Sequence, residues 1–356
     1  MLVAPRSTGG NFEYVAIPRQ GLLYLSGALK QWTDGEYLYE RDIWFEDRNG
    51  WINADKDLRH VDALLITALI NEAPRAYEIA RQARRFHPHL KIIGGGPHMS
   101  PLADEAIREA GFDVIVQREG EDIIGALCDA LLSYSGARLK TALEKIPGIS
   151  FMANGELVQT ARTGLLRPEH VELPDFDAMR DLTPQNPLAA GVIETTRGCV
   201  EHCSYCQVIQ QFLGYRMVPR ETERRRLAQL QDLASRGLIY SNSEGRFSVF
   251  VSDDLHAPPL RATKFRNERV QRLREWSEWS TNMWLIAQVR AEVAQDPELT
   301  DAMTHAGFKM LYVGVESSNA KNLEIVQKRQ NPNQVDSDLR KLGSEGFAVA
   351  AMTIIG

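Results

Sequence analysis

Cysteine is scarce in this sequence, with four among 356 residues, and the few present are poorly spread for a disulfide framework. Three of them, Cys199, Cys203 and Cys206, fall within eight residues. Long apolar runs are missing too: none approaches the roughly 20 residues of a membrane-spanning helix. The opening Met1-Leu2-Val3-Ala4-Pro5-Arg6 has neither the basic flank nor the apolar stretch of a secretory signal. No large excess of charge exists either, and a formal net charge of −6 argues against a general nucleic-acid binder. These absences lead us to expect a cytoplasmic chain with no nucleic-acid partner and no transmembrane segment. Its crowded cysteines then point to a metal or a cluster.

What remains is the balance of a globular protein, 44% hydrophobic and 25% charged, and long enough for two or three domains. Strand-like and helix-like segments alternate over the first 140 residues. Strands are expected at Leu2–Ala4, Asp62–Thr67, Leu90–Ile93 and Asp113–Val116. Helices are expected over Gln20–Gln31, from Pro74, over Pro101–Ala110, and after Glu119-Gly120-Glu121. This order implies a parallel, doubly wound α/β sheet with its ligand site beyond the carboxyl ends of the strands. The Gly94-Gly95-Gly96-Pro97-His98 turn and the segment at Glu119 and Gly120 lie at those ends. Cys128 occupies an apolar position of the last helix and reads as core packing.

Residues 141–190 change character. A hairpin is expected around Asn154-Gly155, followed by an irregular linker marked by Pro168, Pro174, Pro184 and Pro187. A second alternating unit fills residues 191–356. Its expected strands are Val192–Thr196, Ser248–Ser252, Trp284–Gln288, Met310–Val315 and Val349–Ile355, with helices near Glu221–Ser235, Lys264–Ser280, Pro297–Ala306 and Asn333–Gly343. This is a partial β/α barrel that stops at Gly356 after its fifth strand. An unclosed barrel keeps an edge, so the sequence reads as part of a longer protein.

The cysteines stand in Glu194-Thr195-Thr196-Arg197-Gly198-Cys199-Val200-Glu201-His202-Cys203-Ser204-Tyr205-Cys206, a C-x3-C-x2-C run directly after the first barrel strand. Three thiolates can hold three irons of a [4Fe–4S] cubane and leave the fourth open. S-adenosylmethionine (SAM) can chelate that iron through its amino and carboxylate groups, and one electron then breaks a carbon–sulfur bond. Zinc is the alternative, with His202 inside the run. Four ligands within eight residues suit a tetrahedron poorly.

The run resembles the motif of the radical SAM superfamily, matched by Cys199, Cys203, Tyr205 and Cys206. Further segments are similar in order and spacing: Phe250-Val251-Ser252-Asp253-Asp254, Ala287-Gln288-Val289-Arg290, Val313-Gly314-Val315-Glu316-Ser317 and Thr353-Ile354-Ile355-Gly356. The resemblance implies SAM contacts from Asp253 and Asp254, although many members carry Gly-Gly-Glu there and a helix-capping pair is the plainer alternative. Gln288 and Arg290, two apart on one strand, could reach SAM's ribose and carboxylate or form an ion pair. Glu316 ends a strand at the catalytic mouth, where it can contact SAM.

The first domain, a Rossmann-like fold, is similar to the cobalamin-binding domain ahead of the barrel in class B-type members, on the strength of Gly95, Gly96, Pro97 and His98 and of Glu119-Gly120-Glu121. Asp-x-His-x-x-Gly is absent, so His98 is expected to line the corrin pocket or the turn instead of ligating cobalt. The implied activity is methyl transfer to an unactivated carbon, with cobalamin carrying the methyl group and a flavodoxin or ferredoxin supplying electrons. Radical cyclisation or rearrangement, a cobalamin-free radical enzyme, and a non-catalytic iron–sulfur or zinc protein are the other readings. Arg224-Arg225-Arg226 reads as a solvated helix face. Gln207–Tyr215 resembles a group that includes hopanoid-modifying members; a small molecule, lipid or natural product fits as substrate.

Overall fold

A computed structural model describes residues 1–7, 17–35, 37–162, 164–171 and 173–354. The chain divides into two units, Met1–Leu182 and Thr183–Gly356.

In the first unit short apolar runs become strands buried on both faces, the pattern of a parallel sheet covered by helices. The strands are β1 (Leu2–Ala4), β2 (Ile43–Phe45), β3 (Ala63–Thr67), β4 (Lys91–Gly95), β5 (Val114–Val116), β6 (Ile149–Ala153) and β7 (Glu156–Gln159). Their order is β2-β1-β3-β4-β5-β6-β7, parallel through β5 and antiparallel from β5 to β7. Helices Gln20–Gln31, Ala73–Phe86, Ala103–Ala110 and Ile124–Ser133 occupy the crossovers. The expected hairpin turns at Asn154 and Gly155, both with positive φ, and continues this sheet instead of standing apart from it. The proline-rich stretch is also strapped down. Asp175 is buried and accepts hydrogen bonds from Ser26 Oγ (2.7 Å) and Arg41 Nε (3.0 Å), and Met179 bridges to Ile43. Strand β2 had no sequence signal, since three residues are too few to show a period.

The second unit contains β8 (Gly191–Ile193), β9 (Thr196–Arg197), β10 (Arg216–Met217), β11 (Phe247–Val251), β12 (Met283–Arg290), β13 (Phe308–Glu316) and β14 (Ala348–Thr353). Five form a parallel sheet in the order β14-β13-β12-β11-β8, with helices Arg220–Ser235, Thr263–Trp279, Pro297–Ala306 and Pro332–Ser344 between them in sequence. Along β11, Phe247, Val249 and Val251 are buried, and Ser248 and Phe250 are half-buried on the other face. The inner face carries Phe250 and Tyr312, edge to face at 6.2 Å. The first expected barrel strand is broken in two: after Ile193 the chain turns, and β9 pairs antiparallel with β10. Ile355 and Gly356, part of the fifth-strand segment, lie outside the described residues. Among the described residues no helix is long and apolar enough to cross a membrane.

One expectation about this unit fails. Arg226 is no part of a solvated face: it is buried, and its Nη1 donates to the Glu194 carbonyl at 2.7 Å. Three adjacent helical residues point three ways, and this one points inward.

Candidate active site

The loop that carries the three cysteines leaves β9 at Gly198. This residue has φ +79°, and a Cβ there would run into the Gly214 carbonyl and come within 3.0 Å of that of Phe212. Only glycine accepts both conditions. Its N–H donates to Asp254 Oδ2 at 3.1 Å. Cys203 is buried and Cys199 and Cys206 are half-buried; all three are free thiols. Burial raises the Cys199 thiol to about 12, with additional push from Cys206, Asp254 and Cys203. Cys206 is also raised, by burial first, against the opposing Val208 N–H. Mutual repulsion of this kind means the thiolates are stabilised only by a cationic centre. Among the described residues no three His, Cys, Asp or Glu side chains converge on a single ion. Three free thiols on one loop are a donor set of the kind that holds three irons of a polynuclear cluster.

The loop is tied down on both sides of Cys203. Glu201, buried, pairs with Arg261, which continues to Glu292 (3.3 Å) and Arg290 (Nε to Glu292, 2.9 Å). Ser204 N donates to the Val326 carbonyl at 3.0 Å. Tyr205 hydrogen-bonds to Glu316, whose Oε1 also accepts from Lys328 Nζ at 2.9 Å. Glu316 has φ +61° and sits at a register shift between β13 and β14. A non-glycine residue held in the left-handed region at a strand end is a mark of functional sites.

The two adjacent aspartates face opposite ways, as alternation after β11 requires. Asp254 lies beside the cysteines, and burial raises its carboxyl to about 7, with Glu194 and Asp253 adding to the shift and Gly198 N–H opposing it. Asp253 continues the buried row of Val249 and Val251. Its Oδ1 accepts from Thr195 N (2.6 Å) and Thr196 N (2.8 Å), and its Oδ2 from the Thr195 hydroxyl and His256 Nδ1 (2.8 Å), with Arg269 Nη2 at 3.4 Å. Asp253, His256 and Arg269 are all fully enclosed. The expectation of a SAM contact from Asp253 is therefore corrected: its acceptor sites are used inside the protein. Gln288 is half-buried on the inner face of β12. Arg290 is buried and bound to Glu292 and the Arg329 carbonyl, so the ion-pair alternative describes its present contacts.

In the first unit the strand order reverses between β1 and β3, the switch point of such a sheet. A cleft opens at the carboxyl ends of the strands. Leu65, Ile66, Thr67, Val116 and Ile124 line it with Gly94, Gly95, Gly96, Arg118 and Gly120. Gly96 has φ +88°, and a Cβ there would meet Thr67 Oγ1 and stand 3.2 Å from Ala68 N. A Cβ at Gly94 would enter the core against Ile115, Met99 and Phe112, whereas at Gly95 the nearest atom to it would be the Val116 carbonyl at 3.7 Å, so the open part of the floor lies at Gly95. Two expected residues are not on this cleft. Glu119 does not line it, and the His98 ring lies against Tyr77 (centroids 5.8 Å, Nε2 to hydroxyl 3.4 Å). The short helix Gly96–Met99 carries His98 past the cleft and over helix Ala73–Phe86.

Residues 15–128 match the B12 binding domain family and residues 193–356 the radical SAM superfamily. The chain belongs to the cobalamin-binding radical SAM superfamily. An uncharacterized methyltransferase of Pyrococcus horikoshii is 26% identical over 345 residues, covering 95% of this chain and 69% of that protein. The hopanoid C-2 methylase of Rhodopseudomonas palustris is 23% identical over 343 residues, 96% of this chain and 56% of its own. Among solved structures, the cobalamin-dependent SAM radical enzyme OxsB with aqua-cobalamin and SAM bound shares the fold at TM-score 0.74 and 18% identity, over 99% of this chain and 49% of that one. The radical SAM methyltransferase TsrM of Kitasatospora setae, with cobalamin and a [4Fe–4S] cluster bound, does so at TM-score 0.70 and 15% identity, over 100% and 69%. The radical SAM chain described here thus spans about half the length of the hopanoid methylase and of OxsB. The cofactors of the superfamily are a [4Fe–4S] cluster, SAM and cobalamin. The trio of free thiols suits the first, and the glycine-floored cleft suits the last.

Proposed function

We propose that this chain is the cofactor-binding part of a cobalamin-dependent radical SAM methyltransferase that acts on an unactivated carbon of a small-molecule, lipid or natural-product substrate. The observation that carries the reading is the free-thiol loop at the mouth of one unit in a chain whose other unit has a glycine-floored cleft. When bound, the cluster supplies the electron that cleaves SAM to a carbon radical and cobalamin supplies the methyl group.

The chain's own residues bind and orient. Cys199, Cys203 and Cys206 hold three irons. Tyr205 and Glu316, locked together with Lys328, shape the edge where SAM sits. Gln288 faces the inner side of β12, within the region SAM would occupy, and Arg290 sets the local positive charge beside Cys199. Asp254, beside the cysteines with its carboxyl raised by burial, would receive the SAM amino group. Gly95, Gly96 and Gly120 let the corrin approach the backbone. The reaction belongs in the cytoplasm, with a flavodoxin or ferredoxin as electron donor. A cyclisation reading rests on a weaker likeness, 22% identity over 255 residues to the anaerobic magnesium-protoporphyrin IX monomethyl ester cyclase of a Synechocystis strain.

The test is elemental analysis of protein purified without oxygen and reconstituted with iron, sulfide and cobalamin, followed by an assay for 5′-deoxyadenosine and methyl transfer. About four irons per chain with one retained cobalt, and SAM cleavage, are expected. Iron without cobalt defeats the cobalamin assignment, and zinc without iron defeats the cluster assignment.

A further inference from the structure

The cluster loop could be held by its cysteines alone, yet its root is fixed by a charged group buried behind the sheet. Thr195 ends the connection from β8 and Thr196 opens β9, immediately before the loop. Both backbone N–H groups and the Thr195 hydroxyl converge on one carboxylate, that of Asp253. Behind Asp253 stands Arg269, whose Nη2 donates to Thr195 Oγ1 at 2.9 Å and lies 3.4 Å from Asp253 Oδ2. His256 donates from Nδ1, and its ring is packed against Phe308 (centroids 4.9 Å) and Trp276 (6.3 Å). A buried carboxylate with this many donors is costly to assemble and strongly directional once formed. The adjacent Asp254 then takes the Gly198 N–H on the opposite face. Two consecutive residues thereby fix three backbone N–H groups of the four-residue segment 195–198.

We propose that Asp253 is a positioning residue for the iron–sulfur loop, its carboxylate, braced by Arg269 and His256, setting the path of Thr195–Gly198 and with it the placement of Cys199. The proposal rests on the reading that Cys199, Cys203 and Cys206 ligate the cluster. Asp253 touches neither cluster nor SAM; it acts through the backbone.

The experiment compares reconstituted Asp253→Asn, Thr195→Val and Asp296→Asn proteins with the parent by iron content and by electron paramagnetic resonance of the reduced cluster, with and without SAM. An amide at 253 turns N–H donors toward His256 Nδ1 and Arg269. Valine at 195 removes one hydroxyl and leaves the charges in place. Asp296 is a buried carboxylate paired at 2.7 Å with Arg266, which lies on the same helix as Arg269, and its backbone partner is Leu299 N at 3.2 Å instead of the loop. It controls for general loosening. Asp253→Asn is expected to keep most of its iron, to split the signal into more than one species, and to lose the SAM-induced shift in most of the cluster. SAM cleavage should fall about a hundredfold, the scale of a small misplacement. Thr195→Val should show a smaller change of the same kind, and carries the test if Asp253→Asn does not fold. Asp296→Asn should give the parent spectrum. Parent spectra and parent SAM response from both loop-side variants would overturn the proposal, as would the same spectral change from Asp296→Asn. A parent protein that takes up no iron overturns the cysteine assignment and this proposal together, and iron analysis alone identifies that case.

Discussion

The cleft of the first unit is lined by backbone and aliphatic side chains, with Arg118 the one ionisable side chain on its wall among the described residues. The cysteine loop of the second unit is surrounded by charge: Asp253, Asp254, Arg269, Arg290, Glu201, Glu316 and Lys328 all lie within its supports, and most of them are buried. The difference follows from what each must hold. A large preformed ring is bound by shape, so the protein needs a floor that side chains do not obstruct. A small cluster is bound by three coordinate bonds, so the protein needs a loop whose backbone cannot drift. Glycine serves the first and buried ion pairs the second.

The largest expected effect comes from separating the two sites. Cys203→Ala should reduce iron from about four per chain to near zero and abolish SAM cleavage, with cobalamin retention in the first unit unchanged. Loss of both cofactors together would break the comparison. Elemental analysis of one preparation reads both.

Acid should then strike the second unit before the first. Burial, with the charge of Arg269, depresses His256 to about 4 despite its bond to Asp253. Burial alone would raise Asp253, but His256, Arg269 and Thr195 hold it near 2. Also facing this pair are Glu223, whose charge acts on Arg269, and Tyr215, which hydrogen-bonds it. The sign is fixed by the proton count. Below the ordinary histidine value of 6.5 the unfolded chain takes up a proton that folded His256 refuses, so stability falls with pH by up to about 1.4 kcal/mol per unit until about 4. Asp253 adds a further loss as pH falls from its ordinary 3.8 through about 2. Urea unfolding followed by fluorescence of Trp276, beside His256, should show this slope between pH 6.5 and 4, and His256→Asn should flatten it. An unchanged slope in that variant would remove His256 from the account.

Much of this division was legible beforehand. The C-x3-C-x2-C spacing, its place after a strand, and the alternation of strands and helices located both units and the loop. The cleft glycines were visible too, although a glycine run often only permits a tight turn and gains weight here from its place after a strand. What the sequence concealed was the buried charge. Asp253-Asp254 reads as one acidic pair, but neighbouring residues leaving a strand face opposite sides, and only one can reach the mouth. Arg269, sixteen residues on, meets Asp253 because helix Thr263–Trp279 packs behind β11, a contact that no local pattern announces. Arg226 hides in an arginine triplet for the same reason. For His98 the sequence left two places open, the pocket or the turn, and the ring lies against Tyr77 at the turn.

A smaller effect is expected at Gly96. Gly96→Val demands φ +88° of a β-branched residue and sets side-chain atoms against Thr67 and Ala68. About 1–3 kcal/mol of strain should follow, with weaker cobalamin retention and unchanged iron. Equilibrium dialysis against cobalamin, beside iron analysis, checks both halves. Iron loss in this variant would show that the second site depends on the first.

The smallest effect should come from the fourth cysteine, which contrasts the two units in a single residue type. Cys128 is buried in helix Ile124–Ser133, and burial raises its thiol to about 12. A buried thiol with no second thiol beside it is structural, whereas the three in the second unit are set among one another and near Arg290. Cys128→Ala should cost about 1 kcal/mol through the space it leaves, and should alter neither iron nor cobalt. Maleimide should label Cys128 in the folded protein only at the rate of opening, far more slowly than the cysteines of the cluster-free loop. Fast labelling at Cys128, or a lower iron count after its removal, would mean that sulfur in the first unit takes part in the chemistry that we assign wholly to the second.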